Sequence, residues 1–382
     1  MKQQDEKKLS LALKAYRQGN VEKAKSLLAE LVKSYPDAAV PVHYLGICLF
    51  ESAQQELGLS LLEKSLSLSN NKADFLHNTG SLYCIHKQYS QALRYTQQAV
   101  CLSPQNIIYL GTLTKIYYEL KQWKKAKEVG LQCLTYKDQQ ANLKHQEKYQ
   151  TFQLKNIESH CGYQPNDTNI ISFSLWGNDP LYTHGAIINA MIAPYIYPEW
   201  RVRFYVDDSV PQKIINKLQT YGAEILTVKQ TKKNYHKLFW CFLVSDDENV
   251  TRFICRDCDS RLNVREKNAV DAWVSSGQLF HIMRDSYMHA ELILAGMWGG
   301  TSGVLPNIQH MISAFYNPFH EKWIDQTWLA HMVWPIIKNK NLTHDTYYQY
   351  HQGEIFPEDL YRKDAVNISC VGSTVRNDLE RL

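Results

Sequence analysis

Apolar and polar positions follow two different patterns along the 382-residue chain. From residue 5 to about residue 140, apolar side chains recur at helical spacing, which predicts a series of amphipathic helices. Beyond residue 165, short apolar runs alternate with helical stretches instead. The runs Asn169–Leu175 and Trp200–Val206 are predicted strands, and residues 186–195 between them are a predicted helix. We therefore expect an all-helical region followed by an α/β region.

Small residues in the helical region recur every 34 residues, in two series: Ala24, Gly58, Ala92 and Ala126, and Ala12, Gly46, Gly80 and Thr114. This is the period of tetratricopeptide repeats. Small residues at these positions let paired helices approach closely. About four copies are predicted over residues 5–140, in a helical domain of residues 1–157. The amphiphilic run 141–157 is expected to form a solvating cap helix, because a terminal repeat would otherwise expose its apolar face.

The second region, residues 158–382, alternates strands and helices. A helix is predicted over residues 211–218 and a third strand over residues 223–228. This order indicates a three-layer α/β/α domain with a parallel sheet. The predicted fold class is thus α plus α/β, with a helical solenoid in front of a three-layer domain.

Ligands of open α/β sheets bind beyond the carboxyl ends of the strands. Trp176, Asp207 and Asp208 directly follow predicted strands and are expected at that edge. Trp176 and Tyr182 lie in segments rich in glycine and proline, where a flat ring can stack on a base or a sugar. These four residues are candidates for binding a nucleotide-sugar donor.

Two aspartates follow the apolar run 251–255. Asp257 and Asp259 are two positions apart, so in extended chain their side chains point the same way. Carboxylate oxygens are the ligands that Mn²⁺ and Mg²⁺ prefer, and these ions keep room for substrate phosphates. Arg256 and Arg261 flank the pair and are expected to bind the negative oxygens of the donor.

With these motifs, residues from about 169 to 350 resemble a GT-A-fold glycosyltransferase, with Asp257-Cys258-Asp259 as its Asp-x-Asp motif. The resemblance implies that Asp257 and Asp259 hold Mn²⁺ or Mg²⁺ on the diphosphate of a nucleoside diphosphate sugar, with a UDP sugar as the favoured donor. It also implies that His344 completes the metal shell.

Asp325 and Gln326 resemble the acidic and amide pair that some of these enzymes place beside the anomeric carbon. In an inverting enzyme, Asp325 or Asp285 would take the proton of the acceptor hydroxyl. In a retaining enzyme, Asp325 or Gln326 would instead lie beneath the anomeric carbon. The sequence leaves both outcomes open.

Composition narrows the classes of partner. With 42 basic and 38 acidic residues the net charge is +4, which argues against nucleic acid as the main partner. No apolar stretch reaches the length of a membrane span, and the charged amino terminus lacks the apolar centre of a signal peptide. A cytoplasmic location with reduced cysteines is therefore expected.

The sequence thus predicts a metal-dependent glycosyltransferase that moves a sugar from a nucleoside diphosphate sugar to a hydroxyl of a glycan or protein. The repeats are expected to bind a protein partner or a second copy of the chain. The alternative is a non-catalytic scaffold or adaptor, in which the repeats bind a partner and the transferase domain is degenerate.

Overall fold

The computed structural model of the chain describes residues 1–52, 54–157, 159–229, 237–315 and 323–357. The chain forms two compact units, Met1–Cys133 and Leu134–Leu382. None of the described helices is long and apolar enough to cross a membrane.

The first unit is built from consecutive helices that pack in pairs: α1 (Gln3–Arg17), α2 (Val21–Ser34), α3 (Ala39–Glu51), α4 (Gln55–Leu68), α5 (Ala73–Ile85), α6 (Tyr89–Leu102), α7 (Ile107–Glu119) and the start of α8 (Trp123–Lys148). The predicted small residues lie where paired helices meet. A Cβ atom at Gly46 would be 3.0 Å from the carbonyl oxygen of Gly58, and one at Gly80 would be 3.1 Å from the backbone nitrogen of Thr96. The prediction of a solenoid of tetratricopeptide type is confirmed.

Helix α8 does not end where the repeats end. The boundary between the units falls inside α8, ahead of the predicted boundary after residue 157. Within the second unit, Ala141, Tyr149 and Phe152 are buried, and the ring of His145 shares a hydrogen bond of 3.2 Å with the carbonyl of His331. One face of the run 141–157 therefore packs within the α/β unit while the other is exposed, and its helix ends at Lys148, before the end of the predicted cap helix.

A mixed seven-stranded sheet forms the centre of the second unit, in the order β3-β2-β1-β4-β6-β5-β7. All pairings among its strands are parallel except those of β6 with β4 and β5. The antiparallel β6 departs from the predicted parallel sheet. The strands are β1 (Asn169–Leu175), β2 (Trp200–Val206), β3 (Glu224–Thr227), β4 (Arg252–Arg256), β5 (Phe280–Arg284), β6 (Trp298–Thr301) and β7 (Asn341–Asp345).

The two faces of the sheet are covered by different elements. Phe173, Phe204 and Trp273 share one core with residues of α9 (Pro180–Ile196), α10 (Gln212–Thr220) and α11 (Val264–Ser276). On the other face, the Ser172 hydroxyl donates a hydrogen bond of 2.7 Å to the carbonyl of Cys241, in the 3₁₀ segment Lys237–Asp246. Both faces of the sheet are therefore covered, one by α-helices and the other by the 3₁₀ segment.

Short helices complete the described part of this unit. They are α12 (Ile308–Ala314), α13 (Ile324–Trp328) and α14 (Trp334–Ile337). A π-helical segment, Leu329–Val333, joins α13 directly to α14, so residues 324–337 form one continuous helical rod.

Candidate functional site

The strand order defines a crevice at the carboxyl end of the sheet. Strand β1 lies between β2 and β4, so the connections that leave its two sides diverge. Ligands of open α/β sheets bind at such a switch point. Trp176 directly follows β1 and Asp257 directly follows β4, which places both at this crevice.

Three carboxylates define a site at this edge, here named the acidic cluster: Asp257, Asp259 and Asp325, of which the last two act on the first through their charges. The Asp257 side chain keeps contact with solvent but lies among many protein atoms. That partial desolvation, followed by the charges of Asp259 and Asp325, raises the pKa of Asp257 to about 7. The fold thus brings Asp325, from α13, to two aspartates that follow β4.

Asp325 is itself nearly buried, at 6% exposure. Burial raises the pKa of its carboxyl to about 6, although the backbone N–H of Gln326 donates to it at 2.9 Å. Gln326 is half-buried beside it. Of the predicted acidic and amide pair, Asp325 therefore belongs to the acidic cluster and Gln326 follows it on α13.

The acidic cluster limits how a cation could be held. Among the described residues, no three His, Cys, Asp or Glu side chains are grouped so as to hold a metal ion by themselves. Mg²⁺ and Mn²⁺ often bind through one or two carboxylates, with phosphate oxygens and water in the remaining positions. Asp257 and Asp259 offer that kind of oxygen site. A bound cation would offset the repulsion that the charge of Asp259 exerts on Asp257.

The structure does not bring His344 to the acidic cluster. His344 lies on β7, and two strands separate β7 from β4 in the sheet. It is buried, shares a hydrogen bond of 2.8 Å with His281, and contacts the ring of Phe356. Burial and then the charge of Arg265 lower the pKa of His344 to about 4. These contacts make His344 part of the core and separate it from the predicted metal shell.

The two arginines beside the aspartates also have structural partners. Arg256 is buried, and its Nε donates to Glu266 of α11 at 2.6 Å, while its charge acts to lower the pKa of Asp257. Arg261 Nη1 donates to the carbonyl oxygens of Cys258 and Ser260 at 3.4 and 3.5 Å. Arg256 therefore has a structural ion pair, and Arg261 supports the turn that carries the aspartates.

Asp285 is held within a buried ion pair. Arg265 donates to both of its carboxylate oxygens at 3.0 Å, and the hydroxyl of Thr346 donates to one of them. Both charged side chains are almost fully buried. Asp285 is therefore a structural residue. Of the two predicted candidates for the catalytic base, Asp325 and Asp285, only Asp325 lies in the acidic cluster.

The remaining predicted donor residues lie at the ends of β1 and β2 and on α9. Trp176 is half-buried and meets Trp240 edge to face, with ring centroids 6.2 Å apart. Tyr182, on α9, is 43% exposed. Asp208 is exposed, whereas Asp207 is buried and accepts from Lys237 Nζ at 2.5 Å.

Although burial acts to raise it, hydrogen bonds from Lys237 and Ser209 hold the pKa of Asp207 below its usual value. The Lys237 ammonium also lies 5.6 Å from the ring centre of Trp240. The sequence does not mark Lys237 and Trp240 as functional residues. They lie in a strongly apolar run, residues 237–244, which is typical of a buried segment. Together they link the ends of β1 and β2 through Trp176 and Asp207.

Trp298 lies in a glycine-rich segment of the sequence, which favours a loop from which its ring could stack on a ligand. In the structure it is instead fully buried on β6 and packs against Phe242 and Phe253. The neighbouring glycines Gly299 and Gly300 belong to the same strand. This aromatic ring is part of the core and does not line the crevice.

Comparisons with known proteins bear on the helical region. The family model described as ChAPs (Chs5p-Arf1p-binding proteins) matches residues 11–166, and no curated protein matches the chain. MamA from Desulfovibrio magneticus RS-1 is 19% identical, with 38% of this chain and 87% of MamA covered and a TM-score of 0.32. The pilF protein of Pseudomonas aeruginosa is 21% identical, with 37% and 68% covered and a TM-score of 0.32.

A mutant of O-GlcNAc transferase from Thermobaculum terrenum is 16% identical, with 66% of this chain and 45% of that chain covered and a TM-score of 0.41. At these TM-scores the similarities carry no argument about function. The assignment of the repeats rests on their spacing and helix pairing and on the family model.

Proposed function

We propose that this protein is a metal-dependent glycosyltransferase that transfers a sugar from a nucleoside diphosphate sugar, with a UDP sugar as the favoured donor, to a hydroxyl of a glycan or protein. The observation that carries the proposal is the acidic cluster at the switch point of the sheet. Like charges in proximity weaken a fold unless a ligand compensates them, so strongly shifted carboxylates in a crevice point to a functional site.

The proposal gives separate roles to the metal-binding carboxylates, the aromatic residues and the catalytic base. Asp257 and Asp259 would hold Mn²⁺ or Mg²⁺, and the cation would neutralise charge on the departing diphosphate. Trp176 and Tyr182 offer aromatic surface for the base or the sugar. Asp325 would take the proton of the acceptor hydroxyl, since a carboxyl with a pKa of about 6 is mostly ionised at pH 7 and is still a competent base.

The test begins with donor hydrolysis. The purified chain is incubated with Mn²⁺ and a panel of nucleoside diphosphate sugars without acceptor, and release of free nucleoside diphosphate is measured. Hydrolysis of one donor, lost in Asp257→Asn and Asp259→Asn but kept in the surface control Asp37→Asn, is expected. Absence of hydrolysis and of Mn²⁺-dependent nucleotide binding by calorimetry in the parent would reject the transferase.

A second candidate is an adaptor whose repeats bind a protein partner or a second copy of the chain. The match of the ChAPs family model to residues 11–166 favours it, and the comparisons support it better than they support catalysis. An adaptor of this kind predicts self-association or partner binding that is the same in the parent and in the Asp257→Asn/Asp259→Asn double variant. Sedimentation of both proteins at several concentrations measures the self-association arm.

A further inference from the structure

The turn that carries Asp257 and Asp259 is held by residues that the sequence does not mark. Asn189, on α9, donates to the carbonyl of Ser260 at 2.8 Å and accepts from the backbone N–H of Leu262 at 3.2 Å. One helical turn earlier, Gly185 faces the same turn. A Cβ atom at Gly185 would lie 3.0 Å from the carbonyl carbon of Cys258 and would overlap the carbonyl oxygen. Helix α9 therefore fixes the backbone of the turn.

A second glycine contacts the carboxylate itself. Gly296 precedes β6 and is buried, and a Cβ atom there would lie 2.5 Å from Asp257 Cγ and 2.9 Å from Oδ1. Both separations are shorter than van der Waals contact, so the Asp257 carboxyl occupies the space that any other residue at position 296 would fill. Gly296 has no positive φ angle, which means that its backbone conformation is open to alanine.

We infer that Gly296 is a positioning residue for Asp257: its missing side chain leaves the space in which the carboxylate lies, and this orients the carboxylate toward Asp259 and Asp325. The inference rests on the proposed function insofar as it assigns the oriented carboxylate to a cation. Gly185 has a different task, since it admits the backbone of the turn and contacts no carboxylate atom closely.

This difference separates a positioning role from a structural one. In Gly296→Ala the three atoms nearest to the new Cβ all belong to the Asp257 carboxyl, so a rotation of that side chain is expected to relieve the closest overlaps. We expect the melting temperature to change by no more than about 2 °C, while Mn²⁺ affinity measured by calorimetry falls about tenfold or more. In Gly185→Ala the Cys258 backbone must move, so the melting temperature should fall by roughly 5 °C or more.

Gly111→Ala is the matched control, because nothing lies within 4 Å of a Cβ atom at that position and its φ is not positive. It should retain both the melting temperature and the Mn²⁺ affinity of the parent. A crystal structure of metal-free Gly296→Ala completes the test and should show the Asp257 carboxyl turned away from its parental position.

Three results would overturn the inference: an Asp257 carboxyl unmoved in that structure, Mn²⁺ affinity equal to the parent's, or a loss of stability in Gly296→Ala as large as in Gly185→Ala. Failure of the proposed function is distinguishable from these results. It would appear as a parent protein that binds no Mn²⁺, and in that case the crystal structure of the variant still decides whether Gly296 positions Asp257.

Discussion

Two groups of carboxylates lie near the carboxyl edge of the same sheet, and they differ in their partners. After β5 and at the end of β7, Asp285 is paired with Arg265 and Asp345 with Arg284, and all four side chains are buried. After β4, partial desolvation and then the charges of Asp259 and Asp325 instead raise the pKa of Asp257. The first arrangement supports the fold, whereas the second works against it and is expected where a ligand binds.

The contrast extends to neighbouring residues in the chain. Arg256 is adjacent to Asp257, yet its guanidinium is committed to Glu266. The charge of Arg256 acts to lower the pKa of Asp257, but burial and the two neighbouring carboxylates outweigh it. An arginine beside a carboxylate in sequence therefore need not be its ion-pair partner in the structure.

The largest effect is expected for the carboxylates that are paired with arginines. Arg284→Met leaves Asp345 buried without its cation and should destabilise the protein by about 3–5 kcal/mol in chemical denaturation. The control Lys64→Met breaks only an exposed pair with Asp37 and should leave the stability nearly unchanged. Similar small effects for both variants would show that the buried pair is not structural.

An intermediate effect is expected for His344. In His344→Ala the buried His281 loses its 2.8 Å hydrogen-bond partner, which should cost about 1–3 kcal/mol of stability. Mn²⁺ affinity should not change, since His344 lies away from the acidic cluster. Calorimetry with Mn²⁺ and denaturation of the same variant measure the two quantities. Unchanged stability with a tenfold loss of affinity would restore His344 as a metal ligand.

The smallest effect, of opposite sign, is expected for Asp257→Asn without metal. The pKa of Asp257 is about 7 in the folded protein and has a reference value of 3.8, so its contribution to stability is full below about pH 4 and is lost as pH rises through 7. The variant avoids this loss. After allowance for solvent screening, its melting temperature should exceed the parent's by about 2–4 °C at pH 8 and equal it at pH 4.

Melting curves of both proteins in chelator at several pH values measure this difference, with Asp37→Asn as the control. A gain that is the same at pH 4 and pH 8 would contradict the explanation, because the repulsion requires an ionised Asp257. A destabilised variant at pH 8 would place Asp257 with the structural carboxylates and remove the distinction between the two groups.

The sequence predicts best what depends on local spacing. The recurrence of Gly46 and Gly80 identifies the repeats because each glycine meets its own helix pair, and the apolar runs mark β1 and β2 with the bounds that the structure has. Asp257 and Asp259 are likewise placed at the edge because they directly follow a strand.

The sequence fails where the answer depends on contacts between distant segments. His344 is far from Asp257 because of the strand order, and strand order is not encoded in the spacing within any one strand. The amphiphilic end of α8 is compatible with solvent or with packing, and contacts far along the chain, such as that of His145 with His331, decide for packing of one face. Gly296 carries no signal of its own, since its role depends on the nearness of Asp257.

The π-helical segment Leu329–Val333 begins four residues after Asp325. A π turn contains more residues than an α turn, so the rod from Ile324 to Ile337 holds one residue more than regular α geometry would need. The single π turn absorbs this residue, so Asp325 and Trp334 keep nearly the relative direction that a regular α-helix would give them. Single π turns are frequent at functional sites, and this one lies next to the acid from α13 that reaches the acidic cluster.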